Sequence, residues 1–446
     1  MITHESAGGD RAEYLRLASR LLWPPPARVT LTRSRRRPVD VTTELILLPA
    51  QARPRLLVPV ERRAAAAAVR RYGEPQSPFT RLGTKAIWLA MAGGVGPALF
   101  RQRLRIAVPA GSVTIESYLR EALGRDVRVS MHLGAARANR KPVLQLLTVG
   151  GETVGFAKIG VNALTSQLVR AEHDALTRLA GARLTHLTAP SVLHHGVWNG
   201  LDVLVLGALP VWLRRRPLPA ATLAAAMAEV AGVAGFTREP LGTTAYWRRL
   251  VERLSPARLG ADPAGLSRPS PPPSPARLGA DPGLSLRSPS PSPAERASTE
   301  ADRVALLSAL ETLFDRAGAT ELGFGSWHGD WTPWNMASTG AGLLVWDWER
   351  CAEGVPIGFD ALHHWLESEV VPARSEAAGA ARACIERAAA LLAPFGVDQG
   401  EARLTAVLYL AELSARYIAD RQAEAGAWLG APGRWLIPAI TGELAR

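Results

Sequence analysis

The sequence predicts an α+β chain of two lobes, on three observations. Residues 127–159 fall into three short apolar runs with the alternation of antiparallel strands. One helical segment and one further apolar strand follow. Beyond residue 211 the periodic segments repeat at helical spacing. A strand-rich lobe followed by a helical one leaves a cleft between them. With 446 residues, 47% of them hydrophobic, the chain has material for two to three packed domains at about 150 residues each.

Residues 1–110 hold apolar runs at 45–48, 56–60 and 87–91 and an alanine-rich helix at 62–72, which together read as a small α+β region with no chemical motif. The strands expected next are 127–133, 143–149 and 154–159, the last two joined by a turn at Gly150 and Gly151. A helix at 166–180 follows, then a strand at 203–209 that Pro210 ends. This places a strand lobe at 111–210 and a helical lobe at 211–446. In the second lobe, helices are expected at 220–236, 246–254 and 297–317, with Val304, Leu307, Leu310, Leu313 and Phe314 forming one apolar face in the third. The chain continues helical from 373 through 421. Residues 255–294 interrupt this lobe, because 11 Pro, 8 Ser and 4 Gly occupy them without a hydrophobic period, the composition of a disordered insert. The nine letters SPARLGADP occur there twice, at 255–263 and 274–282, a duplicated linker and not a solenoid unit.

The charge balance is 52 basic against 40 acidic residues, but only Lys85, Lys141 and Lys158 among the basic ones are lysine. Residues 1–150 carry most of the excess, whereas 321–370 hold one Arg against eight carboxylates. The arginines of the first part are scattered except for Arg35–Arg37 and rarely alternate with aromatic residues, so a solvated basic face is expected and nucleic acid is not. No run reaches the 18 or so apolar residues of a membrane span. The two cysteines, Cys351 and Cys384, make neither a disulfide framework nor a zinc spacing, and no secretory signal opens the chain. A cytoplasmic protein is the expectation. A protein partner, if there is one, would be met by residues 1–110 or by the 255–294 insert.

The chemistry concentrates in the stretch from Trp327 to Asn335 and its sequel. His328, Asp330 and Asn335 are followed by the apolar run 343–346 and then by Asp347, Trp348 and Glu349. Phosphoryl transfer needs such a set, with one carboxylate to orient the attacking hydroxyl and an amide oxygen and second carboxylate to hold Mg²⁺ against nucleotide phosphates. With 9 His, 14 Asp and 4 Asn in the chain, a His-x-Asp-x4-Asn match arises by chance roughly 0.003 times.

These residues resemble the catalytic loop of the aminoglycoside phosphotransferase and choline kinase family, the small-molecule branch of the protein-kinase-like fold. Asp347-Trp348-Glu349 is similar to that family's acidic metal motif. The resemblance covers about residues 112–446 without the insert and leaves the first 110 unexplained. It implies a protein-kinase-like bilobal fold, ATP and Mg²⁺ as cofactors, Asp330 as catalytic base, and Asn335 and Asp347 as Mg²⁺ ligands. It further implies that His328 braces the loop and that Asp360 supports it from behind.

A lobe of this kind requires a lysine on its third strand and a carboxylate on the next helix. Lys158, at the end of the run 154–158, fits the first, and a lysine there has a chemical reason in a chain that otherwise uses arginine. Glu172 on the 166–180 helix, with Leu168, Leu176 and Leu179 marking the buried side, fits the second. The loop 134–142 carries one glycine, Gly134, in place of a glycine-rich phosphate loop, with Arg137 or Arg140 as the side chain expected at the phosphates. Backbone groups between Gly207 and Leu209 are expected at the adenine edge. Six of 13 tryptophans fall within 321–370, which suits core packing or, for Trp331 or Trp334 with Glu349, Glu353 or Glu367, a cationic or sugar-like acceptor. His363 and His364 read as structural. The resulting expectation is transfer of phosphate from ATP to a hydroxyl of a small molecule; the alternative is a nucleotide-binding regulator without transfer.

Overall fold

A computed structural model describes residues 6–34, 36–48, 54–73, 78–255, 293–371, 376–427 and 429–446. The Pro/Ser-rich stretch lies, apart from Ser255 and its last two residues, outside the described residues. Nine strands form one antiparallel sheet in the order β1-β4-β2-β3-β5-β6-β7-β9-β8. They are β1 (Arg28–Thr32), β2 (Val41–Leu48), β3 (Leu56–Pro59), β4 (Arg103–Ala107), β5 (Arg128–His132), β6 (Val143–Leu147), β7 (Thr153–Gly160), β8 (Val192–Trp198) and β9 (Leu201–Gly207). The sheet passes through the boundary expected near residue 110, because β3 pairs with β5 through Leu56 opposite His132 and Leu57 opposite Met131.

Both faces of the first half of this sheet are covered, which explains why the run Leu45–Leu48 is apolar throughout. Leu45 and Leu47 join a core with Tyr14 of the helix Ser6–Leu22, Trp23 just beyond it, and Ile115 and Leu119 of the helix Ile115–Leu123. Ile46 and Leu48 face the other way, onto Ala65, Ala68, Val69 and Met91 of the helices Arg62–Gly73 and Pro78–Ala92. The apolar run 87–91 is thus the end of a helix and not a sheet element. At the 150–151 turn Gly151 has φ 88°, and a Cβ there would meet the Arg63 carbonyl oxygen at 2.7 Å, so only glycine fits.

The helix Ala163–Gly181 starts three residues earlier than its apolar period because Asn162 caps it, accepting from the Thr165 amide at 2.9 Å. Its inner side packs with Leu204 and Leu206 of β9, and the same core takes in Trp331, Val345 and Trp348 from the second lobe.

The second lobe carries a small sheet, β10 (Thr237–Pro240), β11 (Glu321–Trp327) and β14 (Ala352–Pro356), and the hairpin β12 (Met336–Thr339) with β13 (Gly342–Val345). Its helices include Ala220–Ala231, Ala245–Arg253, Pro293–Ala317, Phe359–Val370, Ala377–Glu386, Gln399–Ala419 and Leu436–Leu444. Gln399–Ala419 is buried almost all round and forms the lobe's axis. In Pro293–Ala317 the buried face is Leu306, Ala309, Leu310 and Leu313, whereas Val304 and Phe314 are 54% and 45% exposed. The expected face followed steps of three, each of which drifts 60° around a helix of 3.6 residues per turn; the observed one keeps the i, i+3, i+4, i+7 spacing. Among the described residues no helix is long and apolar enough to cross a membrane.

Candidate active site

Lys158 lies on β7, with its side chain directed at the helix Ala163–Gly181, and is 9% exposed. Glu172 stands four residues from both Leu168 and Leu176, on the side of the helix that the core buries, and is fully enclosed. The Lys158 Nζ donates to Glu172 Oε1 at 2.7 Å and to Asp347 Oδ1 at 2.5 Å, so one ammonium joins the strand lobe to the second lobe. Burial disfavours that ammonium, but the Asp347 and Glu172 carboxylates outweigh it and hold Lys158 well above the usual lysine range. Burial also works against a charged Asp347, and there too the two neighbouring lysines, Lys158 and Lys141, prevail and keep it far below the carboxylate range. Glu172 Oε1 in addition accepts the Trp348 amide at 3.2 Å.

The loop after β11 is built around Gly329, with φ 82°; a Cβ there would lie 2.2 Å from the Arg350 carbonyl oxygen. Its amide and that of His328 both donate to the Asp360 carboxylate, at 3.1 and 2.7 Å. Arg416 donates to the Gly329 carbonyl from the axial helix at 2.5 Å. His328 is enclosed, and burial pushes it down to about 4, so its ring is neutral. Its Nδ1 accepts the Asp330 amide at 3.1 Å, which leaves Nε2–H to donate to the Trp346 carbonyl at 3.2 Å. The ring thereby ties the loop to the segment just after β13 that carries Asp347.

Asp330 has both carboxylate oxygens engaged. Oδ1 meets His363 Nε2 at 3.1 Å and Oδ2 accepts Asn335 Nδ2 at 2.8 Å. Burial opposes its charge, but the His363 hydrogen bond and the nearby Arg416 hold Asp330 below its ordinary value. Asn335 Nδ2 also donates to the Asp330 carbonyl at 3.0 Å, so the amide oxygen is turned away, and it takes no hydrogen bond among the described residues. The Asn335 carbonyl accepts the Trp346 amide at 3.0 Å, which sets Asn335 beside the Asp347 segment.

Asp347 adopts φ 74°, a strained conformation for a residue with a side chain, of the kind that accumulates at functional sites. Carboxylate oxygens of Glu172, Asp347 and Glu349 all lie within 4.8 Å of one another. These carboxylates, paired here with Lys158 and Lys141, and the Asn335 amide oxygen are hard donors of the kind that Mg²⁺ takes.

Lys158, Glu172 and Asp347 therefore converge, as do Asp330, Asn335 and His328. Among the described residues, Gly134, Gly207 and Leu209 make no hydrogen bond to either group. The Gly134 carbonyl is 3.5 Å from the Arg140 guanidinium. The Gly207 amide donates to Ser191 and the Ala208 amide to Val154, while the Leu209 carbonyl accepts from Val211 at 2.8 Å and retains one lone pair. Arg140, expected at the phosphates, stacks on Tyr14 of the first helix at 4.1 Å, and Arg137 is exposed. The residue of this loop that reaches the site is Lys141, paired with Glu349, with the Asn139 amide on the same carboxylate at 3.3 Å. The scarcity of lysine that singled out Lys158 applies equally to Lys141, and was the signal that could have found it. Trp331 is wholly buried core, Trp334 is 40% exposed, and Glu353 pairs with Arg178 at the surface.

No protein-family model matches the chain, and no curated protein sequence matches it. Among solved structures, the chain is similar to aminoglycoside phosphotransferases and to a glucosamine kinase. A thermostable mutant of aminoglycoside phosphotransferase APH(4)-Ia, in a ternary complex with ADP and hygromycin B, is similar over 75% of this chain and 98% of its own, at 15% identity and a TM-score of 0.41. APH(3'')-Id from Streptomyces rimosus, in complex with ADP and streptomycin, is similar over 61% and 90%, at 14% identity and TM-score 0.33. A glucosamine kinase in complex with glucosamine, ADP and inorganic phosphate is similar over 74% and 83%, at 16% identity and TM-score 0.32.

Proposed function

We propose that this chain transfers the terminal phosphate of ATP to a hydroxyl group of a small molecule. The observation that carries the reading is the Lys158 ammonium held between Glu172 and Asp347 at 2.7 and 2.5 Å, beside a second set in which Asp330 and Asn335 are hydrogen-bonded at 2.8 Å. Lys158, braced by Glu172, binds the nucleotide phosphates. Asn335 and Asp347 would hold Mg²⁺, which when bound neutralises phosphate charge and aligns the transferred group. Asp330 orients the acceptor hydroxyl and takes its proton as the new P–O bond forms and the bond to the ADP oxygen breaks. His328 keeps Asp330 and the Asp347 segment in register. We assign residues 111–210 to nucleotide binding and 211–446 to catalysis and the acceptor.

An acceptor bearing an ammonium is favoured by Glu367, which lies one turn beyond His363 on the same helix face. It is buried, pushed up by that burial, and has no side-chain partner among the described residues. The test is transfer of radiolabelled phosphate from ATP to a panel of hydroxylated amines and sugars, chosen by thermal shift in the presence of Mg²⁺ and a nonhydrolysable ATP analogue. Asp330→Ala is expected to abolish turnover and leave nucleotide binding intact; unchanged transfer by that variant would refute the assignment. Nucleotide binding without transfer to any acceptor would instead favour a regulator.

A further inference from the structure

Asp330 is held from behind by a buried side chain, itself backed by a second, and both stand outside the His-x-Asp-x4-Asn motif. His363 lies on the helix Phe359–Val370, one turn past Asp360, and is 1% exposed. Its Nε2 is 3.1 Å from Asp330 Oδ1, and its Nδ1 is 2.9 Å from the Tyr409 hydroxyl on the axial helix. Tyr409 is itself enclosed and packs edge-on against Phe359, with ring centroids 5.7 Å apart. The line of contact from Tyr409 through His363 to Asp330 thus joins two helices to the loop.

We propose that His363, anchored by Tyr409, is a positioning residue that commits the two oxygens of the Asp330 carboxylate to different tasks, Oδ1 to the protein and Oδ2 to the acceptor hydroxyl. This rests on the phosphotransferase reading above. A carboxylate oxygen has two acceptor directions. Oδ2 uses one of them on Asn335 at 2.8 Å and keeps the other, while the Asp330 side chain as a whole is 31% exposed. The open side of the carboxylate therefore faces the space an acceptor would enter, and the closed side faces His363. Asn335 alone leaves the group free to turn about its last torsion, whose wells are broad. The second contact, from a ring that Tyr409 holds in place, removes that freedom. In-line attack depends on such placement, since a misplacement of about 1 Å can cost 10²-fold in rate.

The experiment compares His363→Ala, His363→Gln and Tyr409→Phe in steady-state transfer with the full chain, using the acceptor found for the wild type. His363→Ala is expected to lower kcat about 10²-fold with KM for nucleotide and acceptor nearly unchanged. His363→Gln, which can offer an amide N–H to Oδ1, should recover kcat to within about tenfold of wild type, and Tyr409→Phe should fall between wild type and His363→Ala. Wild-type kcat in His363→Ala, or equal damage in the Gln and Ala variants, would overturn the role. Should the Ala variant not fold, the order of the Gln and Phe variants decides in the same way: kcat unaffected by Tyr409→Phe refutes the anchor. Absence of transfer in the wild type would overturn the phosphotransferase reading and this role with it, whereas wild-type transfer with an indifferent His363 overturns this role alone.

Discussion

Replacing Lys141 by Met isolates the contact that closes the loop 134–142 onto the acidic segment. The side chains of Lys141 and Glu349 are 7% and 4% exposed, so neither is rescued by water when its partner is lost. At the effective dielectric of protein sites, opposite charges at about 4 Å attract by about 4 kcal/mol. Removing one member of a buried pair costs about 3–5 kcal/mol, because the other charge is left uncompensated. Here the residual charge is Glu349, which would keep the Asn139 amide at 3.3 Å and share the Lys158 ammonium with the Glu172 and Asp347 carboxylates that it faces within 4.8 Å. Lys141→Met is therefore expected to lose about 3–5 kcal/mol, a large part of the 5–15 kcal/mol of a typical domain. The assay is a double-mutant cycle of Lys141→Met, Glu349→Gln and the double variant by urea unfolding, at low and high salt. A coupling of about 3 kcal/mol or more that salt hardly changes is expected. A coupling below about 1 kcal/mol, the value of solvent-exposed pairs, would show that the loop is not clasped to Glu349 and sink the reasoning.

Three further outcomes follow from the same geometry. Glu172→Gln preserves shape but leaves Lys158 with Asp347 alone, and should weaken ATP binding by about tenfold, or 1.4 kcal/mol, in a calorimetric titration; wild-type affinity contradicts the bracing role. His328, ordinarily 6.5, is pushed down to about 4 by burial, so the unfolded chain binds the proton first and this residue's stabilisation, complete above pH 6.5, is lost as pH falls toward 4. The loss amounts to about 3 kcal/mol at most at 1.4 kcal/mol per unit. Asp360 acts in the opposite sense, since burial raises it to about 6 and its contribution is greatest below pH 3.8 and fades as pH rises through 6. Comparing wild type with His328→Gln across pH 4–7 cancels Asp360; an advantage of wild type that does not shrink with acid would contradict the neutral buried ring. Trp23→Phe removes the indole donor 2.8 Å from the buried Glu116 carboxylate and should cost about 1–3 kcal/mol in thermal or urea unfolding, against no change if the first helix were loosely attached.

Lys158, Glu172, Asp330, Asn335 and Asp347 were legible because each lies at a fixed chain distance from a periodic element, and the structure brings them into two adjoining groups. Lys141 carried only the signal of its rarity, since its loop has no period and its partner Glu349 is 208 residues away. His363 could have been read, because Asp360, His363 and Glu367 share a helix face at i, i+3 and i+7. Tyr409 could not, because its helix is buried almost all round and shows no preferred face. In the strand half, the runs at 45–48 and 56–60 were visible, but a strand buried on both faces carries no alternation to set its register. The pairing of β3 with β5, and so the continuity of the sheet past residue 110, was invisible for that reason.

That continuity has a consequence for how the chain can be cut. β5, β6 and β7 are interior strands of a nine-stranded sheet, so removing the first 110 residues would bare the β5 edge and uncover the apolar side chains of Val129, Met131, Leu144 and Leu146. It would also take away Tyr14, the platform on which Arg140 rests beside Lys141. A truncated chain is accordingly a template for self-association, and the initial segment cannot be exchanged like a tag. Its removal would be felt first as aggregation and as a slack 134–142 loop, before any loss of the second lobe.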